Sequence, residues 1–562
     1  MNKLLTGIFM IVLIAVSSLS LLAAPKATAQ SETWPWGNAS EPYPWLEYLK
    51  SLPHDTNITL IIITRHEATI TEKVRTEFLN SPVAKQLGID NIRFVSAGPE
   101  LWESYIQRSI ESGTPIDVAW GGGPTLFNYI DEKGFLQSIN PEINPAYYAV
   151  LYEMSKIPTE IAGVSTIKYG PDGSVHWIGA AISSFGFTIN HQLINDLNLP
   201  VPQTWTDLTK PEYAKLLPDT PLIGIADPTM STSNTRMYEI ILQAYGWDQG
   251  WRILTLMAAN SKIFDSSSGV RDAVIRNEIA AGITIDFYGY TAMHQNPNCE
   301  YILPQGATII NADPIAIING TKHPVQAAAF VAWVLSQYGG QQIWLDPDIN
   351  RLPINPEVFN TTAGQERTDL EQAYGLATTS PGIDFNDTLA LLTERAMQFY
   401  FKATLVNAHD DLQAVWAHIA KAYLDGEINN AEFEYLVQKL TDPITFNDPV
   451  TGEEVTFSQE YAIQINDKLS DPQIYQSLMT QWEENARERY LNAYNLLDQI
   501  LNGELTITTG QPGEETGTIT GTQGETQTTT EGGSFGSTLT SNITLIIGII
   551  IIVAAAYFIL KR

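Results

Sequence analysis

The sequence predicts an α/β protein with an open, mostly parallel sheet and helices on both faces. Residues 57–64 are a near-continuous β-branched run, which is typical of a strand buried on both faces. Apolar residues at helical spacing follow at Ile70, Val74 and Phe78. The chain then alternates short apolar strands with helices of about 10–15 residues, the pattern of βαβ units.

The elements of this body fall into two successive α/β segments. The first has strands at 57–64, 92–95 and 116–120, each followed by a helix, at 70–79, 101–112 and 124–133. The second has strands at 177–182, 185–189, 222–226, 281–285, 307–310 and 315–318, with helices at 238–245, 250–259 and 324–338. Together they predict a core large enough to fold without disulfides.

From residue 361 the pattern becomes helical, and it predicts helices up to about residue 501 and no strand. We expect residues 361–505 to be a helical extension packed on the α/β body. Residues 506–542 are rich in Thr, Gly, Gln and Glu, lack large aliphatic clusters and predict a disordered stalk. Residues 543–560 are an uninterrupted apolar run, about the length that a bilayer requires.

The two ends predict a secreted body with a membrane anchor. Residues 1–29 resemble a signal peptide, with Lys3, an apolar stretch and a small-x-small cleavage site at Ala27–Ala29. The alternative is an uncleaved N-terminal anchor, since the apolar stretch is long. Lys561 and Arg562 favour the cytoplasmic side of the membrane. We therefore expect one transmembrane helix and an extracellular globular body.

Composition excludes several classes. The chain has 62 acidic and 31 basic residues, a net charge of -31, which disfavours nucleic-acid binding. A single cysteine, Cys299, excludes a disulfide framework and a lipid-modified N-terminal cysteine. If the chain is secreted, six Asn-x-Ser/Thr sites are candidates for glycosylation. They are Asn38, Asn57, Asn319, Asn360, Asn386 and Asn542.

The sequence contains no recognisable catalytic motif. The eight histidines are scattered, at His54, His66, His176, His191, His294, His323, His409 and His418. None forms HExxH, and His409 and His418, nine residues apart, would lie on opposite faces of one helix. A GxSxG match occurs at residues 532–536, within the predicted stalk rather than after a predicted strand, and there is no Walker A or GxGxxG pattern. We therefore predict a protein that is not an enzyme and has no cofactor or metal.

Candidate binding residues lie where predicted strands end, since ligands of open α/β sheets sit at the carboxyl ends of strands. The candidates are Arg65 and His66; Gly121, Gly122 and Gly123; Ser231, Thr232 and Ser233; and Asp286 with Tyr288. Glycines and helix N-termini there could offer backbone N–H groups to a ligand. The plainer alternatives are a solvated turn at 64–67, N-capping by Ser231 or Ser233, and core aromatics beside a solvated Asp286.

Several segments, in order, resemble the extracellular solute-binding proteins of ABC importers, and the closest subgroup takes ferric iron, thiamine, polyamines or phosphonates. The segments are residues 116–123 with 134–136, 202–213, 227–235, 282–288 and 351–356. The resemblance covers about 57–356. It implies a two-lobed type II periplasmic-binding-protein clamshell, with hinge crossings near 181–189 and 307–317.

In that arrangement lobe 1 would comprise residues 57–182 and 315–360, and lobe 2 residues 183–314. The ligand would lie in the cleft, where Ser183 of the first crossing is a further candidate. An ABC permease would be the partner. The extension could brace one lobe, or dock against the permease or a neighbouring surface protein, and the sequence does not choose.

The resemblance also bears on the ligand. Ferric members bind metal through a His after the first strand, a Glu after the third and a Tyr-Tyr pair. His66 and Tyr288 match this pattern, whereas Gly122 stands at the Glu position and Phe287 replaces the first Tyr. The pattern therefore does not favour direct ferric binding. Asp286 could meet a cationic group and residues 231–235 an anionic one, so the charge of the ligand stays open.

These observations predict a membrane-anchored extracellular receptor that captures a small solute and delivers it to an ABC permease. Two alternatives remain from the sequence. A structural or adhesive surface protein is suggested by the stalk and the helical extension. A surface hydrolase would require a clustered metal or acid/base set.

Overall fold

The structure, a computed structural model of the chain, describes residues 34–40, 42–507 and 519–520. The predicted signal peptide, 1–29, and the predicted anchor, 543–560, lie outside these residues, as does most of the predicted stalk, 506–542. Among the described residues, no helix has the combined length and apolar character needed to cross a bilayer.

The regular elements follow the predicted alternation. The strands are β1 Ile58–Thr64, β2 Ile89–Ser96, β3 Val118–Trp120, β4 Glu160–Ile161, β5 Val164–Ser165, β6 Ile167–Tyr169, β7 Val175–Asn190, β8 Ile223–Ala226, β9 Ser261–Phe264, β10 Ala281–Ile285, β11 Cys299–Ile302, β12 Ile310–Ile317, β13 Leu352–Pro353, β14 Thr445–Asn447, β15 Glu454–Thr456, β16 Thr506–Ile507 and β17 Ile519–Thr520. The helices are α1 Leu46–Ser51, α2 Ala68–Asn80, α3 Pro82–Gln86, α4 Trp102–Glu111, α5 Gly123–Glu132, α6 Tyr147–Met154, α7 His191–Asp196, α8 Thr232–Tyr245, α9 Trp247–Ala259, α10 Ser267–Ile275, α11 Asp286–Gln295, α12 Pro324–Leu335, α13 Gly340–Ile343, α14 Thr362–Gln365, α15 Thr368–Thr379, α16 Asp387–Phe401, α17 His409–Leu424, α18 Asn430–Thr441, α19 Gln459–Ile465 and α20 Pro472–Leu501.

The main sheet has the order β2-β1-β3-β12-β7-β10-β8-β9, with β6, β11 and β13 also paired to β7. Pairing is parallel within β2-β1-β3 and within β10-β8-β9, as the sequence predicts, and antiparallel around β12 and β7. We call the part around β1, β2, β3 and β12, with helices α2–α6 and α12, the first half. The part around β8–β11, with helices α7–α11, is the second half.

Strand β7 joins the two halves. Its residues 178–184 pair with β12, and its residues 185–189 pair with β10. The sequence predicts two strands here, at 177–182 and 185–189, because Ser183 and Ser184 interrupt an apolar run. Both serines are buried within the continuous strand, and Ser184 N–H donates to Asp286. Strand β12 is likewise continuous, with a register shift where Pro314, which has no N–H, follows Asp313.

The C-terminal extension, residues 361–501, packs on the second half. The Phe401 ring stacks on Tyr238 at 4.5 Å, and Tyr400 meets Trp251 edge-on at 4.8 Å. Trp416 Nε1 donates to Asn260 Oδ1 at 2.7 Å, with both residues fully buried. The extension therefore completes the core of the second half.

The prediction that the extension has no strand was wrong, because β14 and β15 form an antiparallel hairpin. Asp448 closes its turn by accepting hydrogen bonds from the N–H groups of Val450 and Thr451 and from Tyr461 Oη. Gly452 supplies the positive φ, +76°, that the turn requires. Each strand has three residues, too few to show the alternation by which strands are recognised.

Within the predicted stalk the structure describes one short antiparallel pairing, of β16 with β17. Its members are Thr506 with Thr520 and Ile507 with Ile519. All four are β-branched residues, which favour extended backbone.

Candidate functional site

Polar residues from both halves meet where the central strands end. Arg65 and His66 follow β1, and Gly121–Gly123 follow β3 and lead into α5. Because β1 and β3 pair in parallel, with Thr64 opposite Trp120, their carboxyl ends lie side by side. Asp286 follows β10, whose last residue, Ile285, pairs with Phe185 of β7. The candidate residues are thus brought to one region around β7 and β12.

Arg351 is at the centre of a buried network in this region. Its Nη2 donates to Ser183 Oγ at 2.8 Å and to Asp313 Oδ2 at 2.7 Å. Its Nη1 lies 3.3 Å from Nδ1 of His66. The guanidinium also lies over the rings of Phe287 and Trp344, at 5.1 and 5.3 Å. The residue is 4 % exposed, so its charge is stabilised mainly by protein groups.

Asp313 connects this network to the glycine loop. Its Oδ1 accepts hydrogen bonds from the N–H groups of Gly122 and Gly123, at 2.9 and 3.1 Å. Burial alone would raise the pKa of Asp313, but Arg351, His66 and these two N–H groups together lower it. Asp313 is therefore an ionised carboxylate. The sequence predicted that this loop would offer its N–H groups to a ligand, whereas here an internal carboxylate accepts two of them.

His66 is held as a neutral ring. It packs edge-on against Trp120 at 4.3 Å between ring centroids and is buried. Burial lowers the pKa of His66 to about 3, Asp313 opposes this shift and Arg351 adds to it. Since the guanidinium of Arg351 can only donate, Nδ1 of His66 accepts and the ring proton lies on Nε2. The alternative of a solvated turn thus fails for His66.

The environment of His66 also argues against a bound ferric ion. Arg351 places a fixed positive charge against the ring and already binds Asp313, the nearest carboxylate. Oδ2 of Asp313 lies 3.8 Å from Nε2 of His66. Tyr288 donates instead to Glu67 Oε1. The hard oxygen donors that Fe(III) prefers are therefore either paired with a cation or bonded elsewhere.

Asp286 and Tyr288 lie on the second half. Asp286 is fully buried, and its Oδ2 accepts from Ser184 N–H at 2.7 Å. Burial raises the pKa of Asp286 to about 7, although Ser184 and Arg351 oppose the shift. The alternative of a solvated Asp286 is therefore wrong. Burial raises the pKa of Tyr288 as well, and Arg271 lies 4.8 Å above its ring.

The hydroxyl-rich start of α8 has mixed roles. Ser231 is the N-cap and accepts from Asn234 N–H at 3.3 Å, as the plainer alternative predicted. Ser233 Oγ lies 3.3 Å from Ser231 Oγ. Thr232 is exposed, and its Oγ1 accepts from Arg65 Nη2 at 3.3 Å. Arg65 and Thr232 belong to different halves, so this contact crosses between them, as the contact of Tyr288 with Glu67 does.

Sequence reasoning did not identify Asp313, Arg351, Glu67 or Ser184. Arg351 stands within a segment that carried the resemblance and Asp313 within the second implied hinge crossing, but their contacts with His66 span 285 and 247 positions of the chain. A single sequence does not show such pairs. The available signal was chemical: Asp313 interrupts an apolar β-branched strand, and a charge placed there needs a buried partner.

Two α/β halves are linked by long central strands, with a polar site between them. A family model described as "Bacterial extracellular solute-binding protein" matches residues 83–372, and the chain belongs to that family. Its fold is mixed α/β, as the sequence predicted. The family is one of binding proteins rather than enzymes, and it is extracellular.

Two curated relatives match part of the chain. The phosphoglycerate transport regulatory protein PgtC of Salmonella typhimurium is 29% identical over 198 residues, 35% of this chain and 47% of that protein. An uncharacterized protein of Haemophilus influenzae is 24% identical over 186 residues, 33% of this chain and 50% of that protein. The chain thus spans about half the length of the curated relatives it matches.

Among solved structures, the chain is similar to the periplasmic binding protein AfuA from Actinobacillus pleuropneumoniae. The TM-score is 0.45 at 18% identity, over 65% of this chain and 98% of that one. It is also similar to the spermidine/putrescine-binding protein PotD from Streptococcus pneumoniae. There the TM-score is 0.44 at 16% identity, over 60% of this chain and 99% of that one.

Proposed function

We propose that the protein is a membrane-anchored extracellular receptor that captures a small solute between the two halves and delivers it to an ABC permease. In this proposal the first half corresponds to lobe 1, residues 57–182 and 315–360, and the second half to lobe 2, residues 183–314. The observation that carries the proposal is the pair of contacts between the halves, Arg65 with Thr232 and Tyr288 with Glu67. Both lie beside the buried network of Arg351, where a solute would rest.

The chemistry of this network favours a solute with an oxyanion, either a carboxylate or a phosphate. Arg351 Nε and His66 Nε2 are buried and have no hydrogen-bond partner among the described residues. Both nitrogens carry a proton, so each requires an acceptor. A ligand oxygen would satisfy them, and a buried donor left unpaired costs about 1–3 kcal/mol.

The charged groups around the site are also compatible with an anionic solute. Asp313 offsets Arg351, and Asp286, whose pKa is raised to about 7, carries only part of a charge near neutral pH. Arg65 adds a positive charge at the edge of the site, and the N-terminus of α8 adds a partial one. Glu67, which accepts from Tyr288, offsets Arg65, so this region is less negative than the chain as a whole, whose net charge is -31. The similarity to a phosphoglycerate transport regulatory protein supports the same class of solute.

A thermal-shift titration of the full chain in detergent tests this proposal. The probes are phosphoglycerate, inorganic phosphate, spermidine, thiamine and ferric citrate. A solute at about one hundred times its Kd adds about 2.7 kcal/mol to the free energy of unfolding, and we expect a rise in Tm of roughly 2 °C with the anions. A rise with spermidine alone would refute the oxyanion class. No rise with any probe would count against a receptor.

The variant Arg351→Lys tests whether the thermal shift depends on binding at Arg351. Lysine cannot reproduce the several directed hydrogen bonds of a guanidinium, so we expect the shift with phosphoglycerate to disappear. Arg276→Lys, on an exposed side chain of the second half, is the control and should keep the full shift. An Arg351→Lys protein that still responds fully would exclude Arg351 from the binding site.

Anchoring and delivery form the outer part of the proposal. We propose a cleaved signal at 1–29, a transmembrane helix at 543–560 and glycosylation on the extracellular side. Support for glycosylation is that all five candidate sites within the described residues are exposed: Asn38, Asn57, Asn319, Asn360 and Asn386. Deleting the partner permease should abolish uptake of the solute by cells and leave its binding to the purified receptor unchanged.

A further inference from the structure

Asp387, the first residue of α16, contacts both halves of the α/β body. Its Oδ1 accepts a hydrogen bond from Thr125 Oγ1 at 3.0 Å and another from Arg236 Nη2 at 2.5 Å. Thr125 lies on α5 of the first half, and Arg236 lies on α8 of the second half. A single carboxylate oxygen of the C-terminal extension thus joins two elements that would have to separate if the cleft opened.

Arg236 is held in place at this contact by several neighbouring groups. Its side chain is 10 % exposed, and its guanidinium lies 4.0 Å from the ring of Phe385, which belongs to the extension. Nη1 also donates to Thr125 Oγ1 at 3.2 Å and to Glu239 Oε2 at 3.3 Å. The Asp387 side chain is 38 % exposed, so this ion pair is only partly shielded from screening by salt.

The extension is held firmly to the second half near this point. Asn386 N–H donates to Gln243 Oε1 at 2.8 Å, and Gln398 Nε2 donates to Thr235 Oγ1 at 3.2 Å. Ile383 N–H donates to the carbonyl oxygen of Thr308 at 2.9 Å. Helix α16 would therefore move with the second half, and opening would break both hydrogen bonds of Thr125 Oγ1, the one it donates to Asp387 and the one it accepts from Arg236.

Thr125 is also close to the binding site. It stands two residues after Gly123, whose N–H donates to Asp313. Helix α5 therefore carries both the glycine loop of the site and the hydroxyl that meets Asp387. A displacement at either end of this short segment would be transmitted to the other end, since α5 moves as a rigid element.

We propose that the C-terminal extension is a latch on the cleft, in which Asp387 holds Thr125 of the first half and stabilises the closed arrangement. This inference rests on the proposed function, because it assumes two lobes that open and close. It concerns residues beyond 372, where the family match ends. A latch that favours closure before the solute arrives would raise the apparent affinity, since less binding energy is needed to close the cleft.

Distance measurements across the cleft of the full chain, without any solute, test the latch. Cys299→Ser removes the native thiol, and Glu72→Cys with Arg276→Cys places spin labels on exposed positions of the first and second half. Pulsed electron resonance then gives the fractions of open and closed molecules. A hydrogen bond to a charged group corresponds to roughly a tenfold change in such a ratio.

We expect Asp387→Ala and Thr125→Val to raise the open-to-closed ratio by about that factor. Thr125→Val keeps the shape of the side chain and removes the hydroxyl that contacts both Asp387 and Arg236, whereas Asp387→Ala removes only the contribution of the extension, so the two variants together show how much of the effect belongs to Asp387. Glu434→Gln is the matched control. Glu434 accepts a hydrogen bond from Arg252 Nη2 at 2.6 Å and so connects the extension to the second half alone. The open-to-closed ratio of the Glu434→Gln protein should therefore equal that of the wild type.

Three outcomes are distinct. A raised ratio in both latch variants, with the control unchanged, supports the proposal. Ratios equal to that of a wild-type protein that does open would overturn the latch and leave the receptor function standing. A single unchanging distance in every protein, with and without phosphoglycerate, would overturn the moving cleft itself and the latch with it.

Discussion

Arg351 and Asp313 form a buried ion pair, with Nη2 of the arginine 2.7 Å from Oδ2 of the aspartate and side chains 5 % and 10 % exposed. The pair connects three parts of the chain: the glycine loop through Asp313, the first strand through His66, and β7 through Ser183. Burying two charges is costly, and such pairs are often no more stabilising than apolar packing. The proposed binding role rests on its position beside two buried donors, Arg351 Nε and His66 Nε2, that have no partner among the described residues.

The variant Asp313→Asn should destabilise the protein strongly. It removes the negative charge but keeps an oxygen for the N–H groups of Gly122 and Gly123, so Arg351 is left as a buried and uncompensated cation. Breaking a buried pair in this way costs about 3 kcal/mol, which urea unfolding would measure. The control is Glu278→Gln in an exposed pair with Arg276, where less than about 1 kcal/mol is expected. A loss no larger than the control's would show that solvent reaches Arg351.

The glycine loop allows strain and steric exclusion to be measured separately. Gly121 and Gly123 have similar φ values, +74° and +84°, which are unfavourable for other residues. A Cβ on Gly121 would lie 2.6 Å from the His66 ring, whereas one on Gly123 would meet no atom within 4 Å. We expect Gly123→Ala to cost about 1–2 kcal/mol and Gly121→Ala at least about 1 kcal/mol more. Equal costs would mean that His66 is free to move aside.

The sequence predicted well what depends on local pattern. The run at 57–64 and the alternation after it gave the parallel strands of both halves, and the glycines after β3 were placed correctly at the head of α5. These features follow from residues that are neighbours in the chain. The continuity of β7 was missed because Ser183 and Ser184 look like a break until their buried partners, Arg351 and Asp286, are known.

What the sequence did not give depends on long-range pairing. The chemistry of His66 is set by Arg351, and the state of Asp286 is set by burial beside Ser184. Nothing in either local segment encodes these surroundings. The role of the extension was left open for the same reason, since the role proposed for Asp387 depends on its contacts with Thr125 and Arg236, which are far away in the chain.

A pair of buried tryptophans tests how the extension supports the second half. Trp416 Nε1 donates to Asn260 Oδ1, whereas Trp482 Nε1 is buried with no partner among the described residues. Trp416→Phe should therefore lower the free energy of unfolding by about 1 kcal/mol more than Trp482→Phe, because it leaves Asn260 Oδ1 without its donor. Both variants lose the same ring area, so chemical unfolding compares them directly. Equal losses would show that water replaces the indole N–H.

His66 and Asp286 predict opposite dependences of stability on pH. The folded pKa of His66, about 3, lies below its unfolded value of about 6.5, so its contribution is complete above pH 6.5 and is lost as the pH falls towards 3. The folded pKa of Asp286, about 7, lies above its unfolded value of about 3.9. Its contribution is complete below pH 3.9 and is lost as the pH rises towards 7. Between about pH 4 and pH 6.5 the two effects oppose each other.

Single variants should therefore show how the free energy of unfolding depends on pH through each group, because the two effects oppose each other in the wild type. Relative to wild type, His66→Gln should lose stability as pH rises from 4 to 6.5, by up to about 1.4 kcal/mol per pH unit, and Asp286→Asn should gain it by a similar amount. Urea unfolding at several pH values measures both slopes. A His66→Gln profile parallel to wild type would mean that His66 takes up its proton in the folded protein. That result would also remove the neutral donor on which the oxyanion site depends.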